Sequence, residues 1–173
     1  MTDDPTKWDE EKIKNVVMNE LSGIHTEWRD VTSEQISLQD VSGHGGNRTF
    51  KVTRCVDDSI VGQVALHLIG EMNNFENQPD ILNVQTSATK AFSDAGLCPK
   101  RLCQKSDKFF IDEWLRDSKN LETYHLDVDL VSKMGQSLAR VHKINPSWYD
   151  KHYEKLTTEY PDLVGVPRGS TFW

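Results

Sequence analysis

Three glycines and an asparagine crowd into Gly43, Gly45, Gly46 and Asn47, between two β-rich runs, Ile36–Val41 and Arg48–Val56. Glycines let a backbone turn tightly and approach a ligand with no side chain in the way. The successive N–H groups of such a turn can cradle a phosphate, so the chemistry this spacing offers is anion binding by main chain. The same cluster also serves as a plain hairpin turn, and alone it does not decide between the two. A third β-rich run follows, Val64-Ala65-Leu66-His67-Leu68-Ile69, with one titratable side chain, His67, in its midst. That histidine reads either as a ligand-facing group or as a partly buried strand residue bonded to a neighbour. Cys55, Cys98 and Cys103 form no CxxC pair, and adding His142 gives no familiar zinc spacing. An odd number of scattered thiols suits a reducing compartment. Asn47-Arg48-Thr49 matches the glycosylation acceptor pattern, which matters only in a secreted chain.

The elements that position these residues can be read from periodicity. Asp4-Pro5 opens a helix whose apolar positions Ile13, Val16, Val17 and Leu21 recur at helical spacing, with Gly23 as its stop. Residues 24–35 have no clean period and read as a connector. The strands 36–41 and 48–56 follow, joined by Ser42–Asn47; Asp57-Asp58-Ser59 turns the chain into a third strand, 60–69. Residues 70–79 are polar and read as a loop. A helix spans about 80–95, with Ile81, Val84, Ala88, Ala91 and Phe92 on one side and Gly96 at its end. Short strands are predicted at 102–104 and 108–115. A last clear helix covers 127–144, where Val131, Met134, Leu138 and Val141 make one apolar stripe suited to core packing. Beyond Pro146 the chain is aromatic and polar, and no element is predicted there.

At 173 residues the chain fits one ordinary domain or a piece of a larger one. A net charge of -7 argues against a nucleic-acid backbone as the main partner. No apolar run approaches the length of a membrane span, and the acidic start Met1-Thr2-Asp3-Asp4-Pro5 shows no signal-peptide pattern. The expectation is a soluble, cytoplasmic protein.

The order helix, three strands, helix, two strands, helix, with a glycine turn between strands one and two, resembles the N-terminal lobe of the protein-kinase-like fold. The local motifs are most similar to the choline/ethanolamine kinase branch, related to the aminoglycoside phosphotransferases. They are Gly45-Gly46-Asn47…Phe50-Lys51-Val52, Val64-Ala65-Leu66-His67-Leu68-Ile69-Gly70, Ala95-Gly96-Leu97-Cys98-Pro99, Glu113-Trp114-Leu115 and Leu138-Ala139-Arg140-Val141-His142. The resemblance covers roughly residues 36–145. It implies an α+β fold: a five-stranded antiparallel sheet with a packed helix, followed by the first helix of a truncated C-terminal lobe. The implied organisation is an N-terminal helix and connector (1–35), a nucleotide-binding lobe (36–116) and the start of an incomplete second lobe (117–173).

The implied chemistry is transfer of the γ-phosphoryl of MgATP to a small-molecule alcohol such as choline or ethanolamine. Gly43, Gly45, Gly46 and Asn47 would form the flap over the phosphates. Backbone at Glu113 and Leu115 would hydrogen-bond the adenine between Val41, Val52 and Ala65 as apolar walls. Two departures stand out. The basic residue that steadies the phosphates aligns with His67, and the helix glutamate that pairs with it falls near Gln85, so a charged pair is replaced by a neutral one. The catalytic His-x-Asp…Asn loop and the Mg2+ aspartate belong to the second lobe. Here only His125-Leu126-Asp127 is similar; Ser132 stands where the Asn is expected, and Asp127 reads better as a helix N-cap. The chain alone is therefore expected not to turn over, with no catalytic residue and no metal ligand of its own. Its last-helix stripe would be left exposed, open to self-association. Two readings remain beside that of a kinase lobe: a non-catalytic regulatory module on a degenerate nucleotide-binding lobe, and an unrelated α+β protein.

Overall fold

The structure is a computed structural model and describes residues 4–43, 47–70, 79–104, 108–116 and 128–159. The chain is α+β and divides into two compact units, one of Met1–Asn77 with Pro99–Leu115, the other of Gln78–Cys98 with Arg116–Trp173.

The first unit is built on one antiparallel sheet. Its strands are β1 (Ile36–Asp40), β2 (Arg48–Val56), β3 (Ser59–Leu68), β4 (Arg101–Cys103) and β5 (Phe109–Glu113), in the spatial order β1-β2-β3-β5-β4. The expected strands are all present, each within one or two residues of its predicted bounds. β2 and β3 turn on Asp57 and Asp58, both at positive φ (48° and 61°), the two-residue geometry that matches strand twist and that aspartate tolerates better than most residues.

Side chains alternate across a strand, so each β-run feeds two faces. Ile36, Phe50, Val52, Val64, Leu66, Leu68, Phe109 and Ile111 fall on one face and are buried. They pack with Ile13, Val17 and Leu21 of helix α1 (Glu10–Leu21) and with Trp8 and Trp28. Burying side chains of this size stabilises by about 1.5–3 kcal/mol each. Trp28 reaches the sheet because β3 carries Gly62: a Cβ there would lie 3.3 Å from the indole. On the α1 side, Glu20 accepts a hydrogen bond from the buried Cys103 thiol at 3.2 Å, linking the helix to β4.

The N-terminal reading needs one correction. Asp4-Pro5 opens only a single 3-10 turn, Pro5–Lys7, and α1 starts afresh at Glu10, where the Asp9 carboxylate accepts the Lys12 N–H at 2.8 Å. The helix packed into the sheet's core is this one.

The second unit holds α2 (Pro79–Asp94), α3 (Val128–His142) and α4 (Ser147–Glu159). The sequence reading ran one lobe through 36–116, with α2 inside it. As expected, Gly96 ends α2, at φ 66°, and Arg140 of α3 donates to the Ala95 carbonyl at 2.8 Å, serving one of the carbonyls a helix end leaves unpaired. Helix α4 was not predicted. The Asn145 side chain accepts the Ser147 N–H at 3.0 Å to start it, and His152 meets Ser87 of α2 at 3.1 Å. Of the α3 stripe, Val131, Met134 and Leu138 are exposed and Val141 is half-buried, so among the described residues the stripe does not pack into a core. Among the described residues, no helix is long and apolar enough to cross a membrane.

Candidate functional site

Between β1 and β2, where residues 44–46 lie outside the described residues, polar side chains hold the two flanking stretches together. Val41 N–H donates to the Thr49 carbonyl at 2.9 Å, and Thr49 N–H donates to the Ser42 hydroxyl at 2.9 Å. Asp40 accepts from both the hydroxyl and the N–H of Ser42 and pairs with Arg48 at 3.1 Å. These bonds, the Ser42 hydroxyl first, hold the Asp40 carboxyl below its ordinary range. At the other end of the turn, the Asn47 side chain accepts the Gly70 N–H at 3.0 Å, joining the exit of the turn to the exit of β3.

The sheet face away from α1 is polar. Register places Thr49 opposite His67, Lys51 opposite Ala65, Ala65 opposite Asp112 and His67 opposite Phe110, with Arg101 opposite Asp112 on the last strand. Six side chains there form one connected cluster. Thr49 Oγ1 lies 3.2 Å from His67 Nδ1, and His67 Nε2 lies 3.7 Å from Asp112 Oδ2. Which of Thr49 Oγ1 and His67 Nδ1 donates is set by the tautomer of the imidazole. The imidazole stacks on Phe110 with centroids 4.4 Å apart. The Arg101 guanidinium sits 3.8 Å from the same phenyl centroid, pairs with Asp112 through Nε and donates to the Gln104 side chain through Nη1.

The electrostatics follow from burial. Asp112 is only 8% exposed, and desolvation pushes its carboxyl up against the opposing pull of Arg101. Desolvation, reinforced by the Arg101 charge, lowers His67 to about 4. Held that low, His67 is neutral at neutral pH. The cluster as a whole carries no net charge.

Of the residues the sequence singled out, Ala65 and His67 share this face. Gly43 and Asn47 stand at the two ends of the turn, and a Cβ on Gly43 would meet nothing within 4 Å. Gly45 and Gly46 lie outside the described residues, as does His125-Leu126-Asp127. Glu113 ends β5, where its N–H donates to the Lys100 carbonyl at 2.9 Å. That N–H is therefore committed to the sheet. Leu115 is exposed two residues on. Gln85 falls on α2, in the other unit.

Val52 is corrected: it is fully buried on the α1 face, and the residue opposite Ala65 is Lys51. The ammonium of Lys51 lies 5.1 Å from the Trp114 ring centroid, just past the end of β5. Sequence reasoning missed Thr49, Lys51, Arg101, Phe110 and Asp112. The signal for four of them was present, because strict alternation from Ala65 and His67 carries straight to their cross-strand neighbours.

Among the described residues, no group of His, Cys, Asp and Glu could hold a metal ion. The three cysteines are free thiols. No family model matches the sequence, and no curated protein matches it. Chemically, the polar face offers an aromatic surface, a hydrogen-bonding cluster and a lysine.

Proposed function

We propose that this chain is the ATP-binding lobe of a small-molecule phosphotransferase of choline/ethanolamine kinase type. It would hold the nucleotide while residues outside this chain supply the catalytic aspartate and the Mg2+ ligand. One observation carries the reading: the glycine turn joins the first two strands of an antiparallel sheet, and its exit is tied through Asn47 to the end of the strand bearing Ala65 and His67. Phosphates under the turn would meet its backbone N–H groups. A base would lie toward Ala65 and the exit of β5 at Glu113–Leu115.

The test is equilibrium binding of a non-hydrolysable ATP analogue with Mg2+ to the 173-residue chain. Saturable binding that Gly46→Val weakens supports the reading, and absence of binding by the folded chain sinks it. No phosphoryl transfer to choline or ethanolamine is expected from this chain alone.

The neutral state of His67 favours a second reading, a regulatory module on a degenerate nucleotide lobe. The exposed α3 stripe would then be its contact surface, and size-exclusion of the pure chain would give a discrete dimer or complex.

A further inference from the structure

We propose that the groove between the C-terminal ends of α2 and α3 binds a small organic carboxylate, with the acid on Arg140 and Lys143 and its apolar body on the groove floor. The inference goes beyond the nucleotide reading and does not rest on it, because the groove lies wholly within the second unit.

The groove has a volume of about 470 Å3, within the range of about 300–1,000 Å3 usual for small-molecule sites. Its floor is apolar. Ala91 comes from the last turn of α2, Ala95 and Leu97 follow just beyond it, and Ile144 follows α3; all four are half-buried. The bond from Arg140 Nη2 to the Ala95 carbonyl, 2.8 Å, ties the two helix ends together and so fixes the width between them.

Charge decides what such a floor can hold. Arg140 and Lys143 line the groove and are exposed. The Lys143 N–H donates to the Arg140 carbonyl at 3.1 Å, a tight turn in which side chains three apart eclipse, so both cations fall on one side. Cations near helix ends ordinarily answer unpaired carbonyls. Arg140 does so with Nη2, and its Nε and Nη1 have no partner among the described residues. The Lys143 ammonium has none there either. Two neighbouring cations without a carboxylate stand out in a chain of net charge -7. The acid that lines the groove, Asp94, is already paired with Lys90 at 2.6 Å. Asn145 accepts the Ser147 N–H through its side-chain oxygen, which leaves its amide N–H groups to donate. An apolar floor below a cationic rim selects an amphiphile: one carboxylate on a compact hydrocarbon body.

The experiment is an amide NMR titration of the 173-residue chain with 4-phenylbutyrate, 4-phenylbutanol and inorganic phosphate. It is run on the wild type, Lys143→Arg and Lys143→Gln, each confirmed as folded by its amide dispersion. Lys143 is substituted because removing Arg140 would also unpair the Ala95 carbonyl. The acid should bind saturably and shift the amides of Ala91, Ala95, Leu97 and Ile144. The alcohol lacks the charge and phosphate lacks the body, so each should bind at least about tenfold more weakly, the scale of one lost charge-assisted contact. Lys143→Gln should weaken the acid by a similar factor, and Lys143→Arg should retain most of the affinity.

No saturable shift at those amides in the wild type overturns the proposal. Equal binding of the alcohol would leave the cations without a role, and equal binding of phosphate would leave the floor without one; either result overturns it too. An acid titration unchanged by Lys143→Gln places the carboxylate elsewhere and has the same consequence. None of these outcomes bears on nucleotide binding by the first unit.

Discussion

The two faces of the sheet are made by the same strands and do opposite things. On β3, Leu66 is fully buried against the α1 side, while the next residue, His67, faces a cluster of threonine, aspartate, phenylalanine and arginine. The first face is held by apolar area and shape. The second is held by directed bonds whose members must each be satisfied, because an unpaired buried polar group costs more than the pair returns. The α1 face accounts for stability, and the polar face is where specificity can be built.

Substitutions sharpen that contrast. Leu66→Ala leaves a cavity in the dry face and should cost about 2–5 kcal/mol in urea unfolding. If the chain binds nucleotide as proposed, the fraction that stays folded should bind it as before. A loss of affinity by folded protein would show that the faces are not independent. Gly62→Val pushes methyl groups into the Trp28 indole, which a Cβ alone would approach to 3.3 Å, and should cost about 1–3 kcal/mol. Trp28 fluorescence should shift with it, whereas a silent substitution would mean that the indole has room to retreat.

The polar face should instead respond to pH. His67 is held at about 4 in the folded chain against about 6.5 when unfolded. Above the unfolded value both states are neutral and this group contributes no slope. As pH falls from 6.5 toward 4, the unfolded chain takes up a proton that the folded chain refuses, so stability declines. The loss should be on the order of 1–2 kcal/mol by pH 5 and should shrink in His67→Gln. Equal slopes in both proteins would place the imidazole in a wetter setting. The smallest effect belongs to Asp9→Ala, which removes the N-cap of α1 and should cost about 1 kcal/mol in urea unfolding.

Much of this was legible in the sequence, for reasons that differ by element. The strands showed themselves through β-rich runs bounded by glycine and aspartate, and the C-terminal end of α2 through Gly96. The phase of β2 was misjudged. Apolar character alone put Val52 beside Ala65, but Lys51 and Val52 are successive residues and must face opposite ways, and α1 claims the valine. Helix α4 escaped because its sequence is polar. Tyr149, Tyr153 and Leu156 do stand at helical spacing behind an asparagine cap, a signal weaker than the tract's overall hydrophilicity. Arg101 could not have been placed beside Phe110 and Asp112 from local pattern, since that contact depends on how a three-residue strand registers against its neighbour.

The spatial order of the strands also predicts an order of assembly. β1, β2 and β3 are sequential neighbours joined by short turns, so their meander needs only local loop closure. β5 must then dock on the free edge of β3 after the chain has passed through α2 and β4. Until it arrives, β3 presents a long row of unpaired N–H and C=O groups flanked by Val64, Leu66 and Leu68. During synthesis that edge stays open while the intervening residues are made, which is the interval in which a chain of this design is most exposed to pairing with the wrong strand. Slowing translation between β3 and β5 should therefore lower the yield of soluble protein more than slowing it after Glu113.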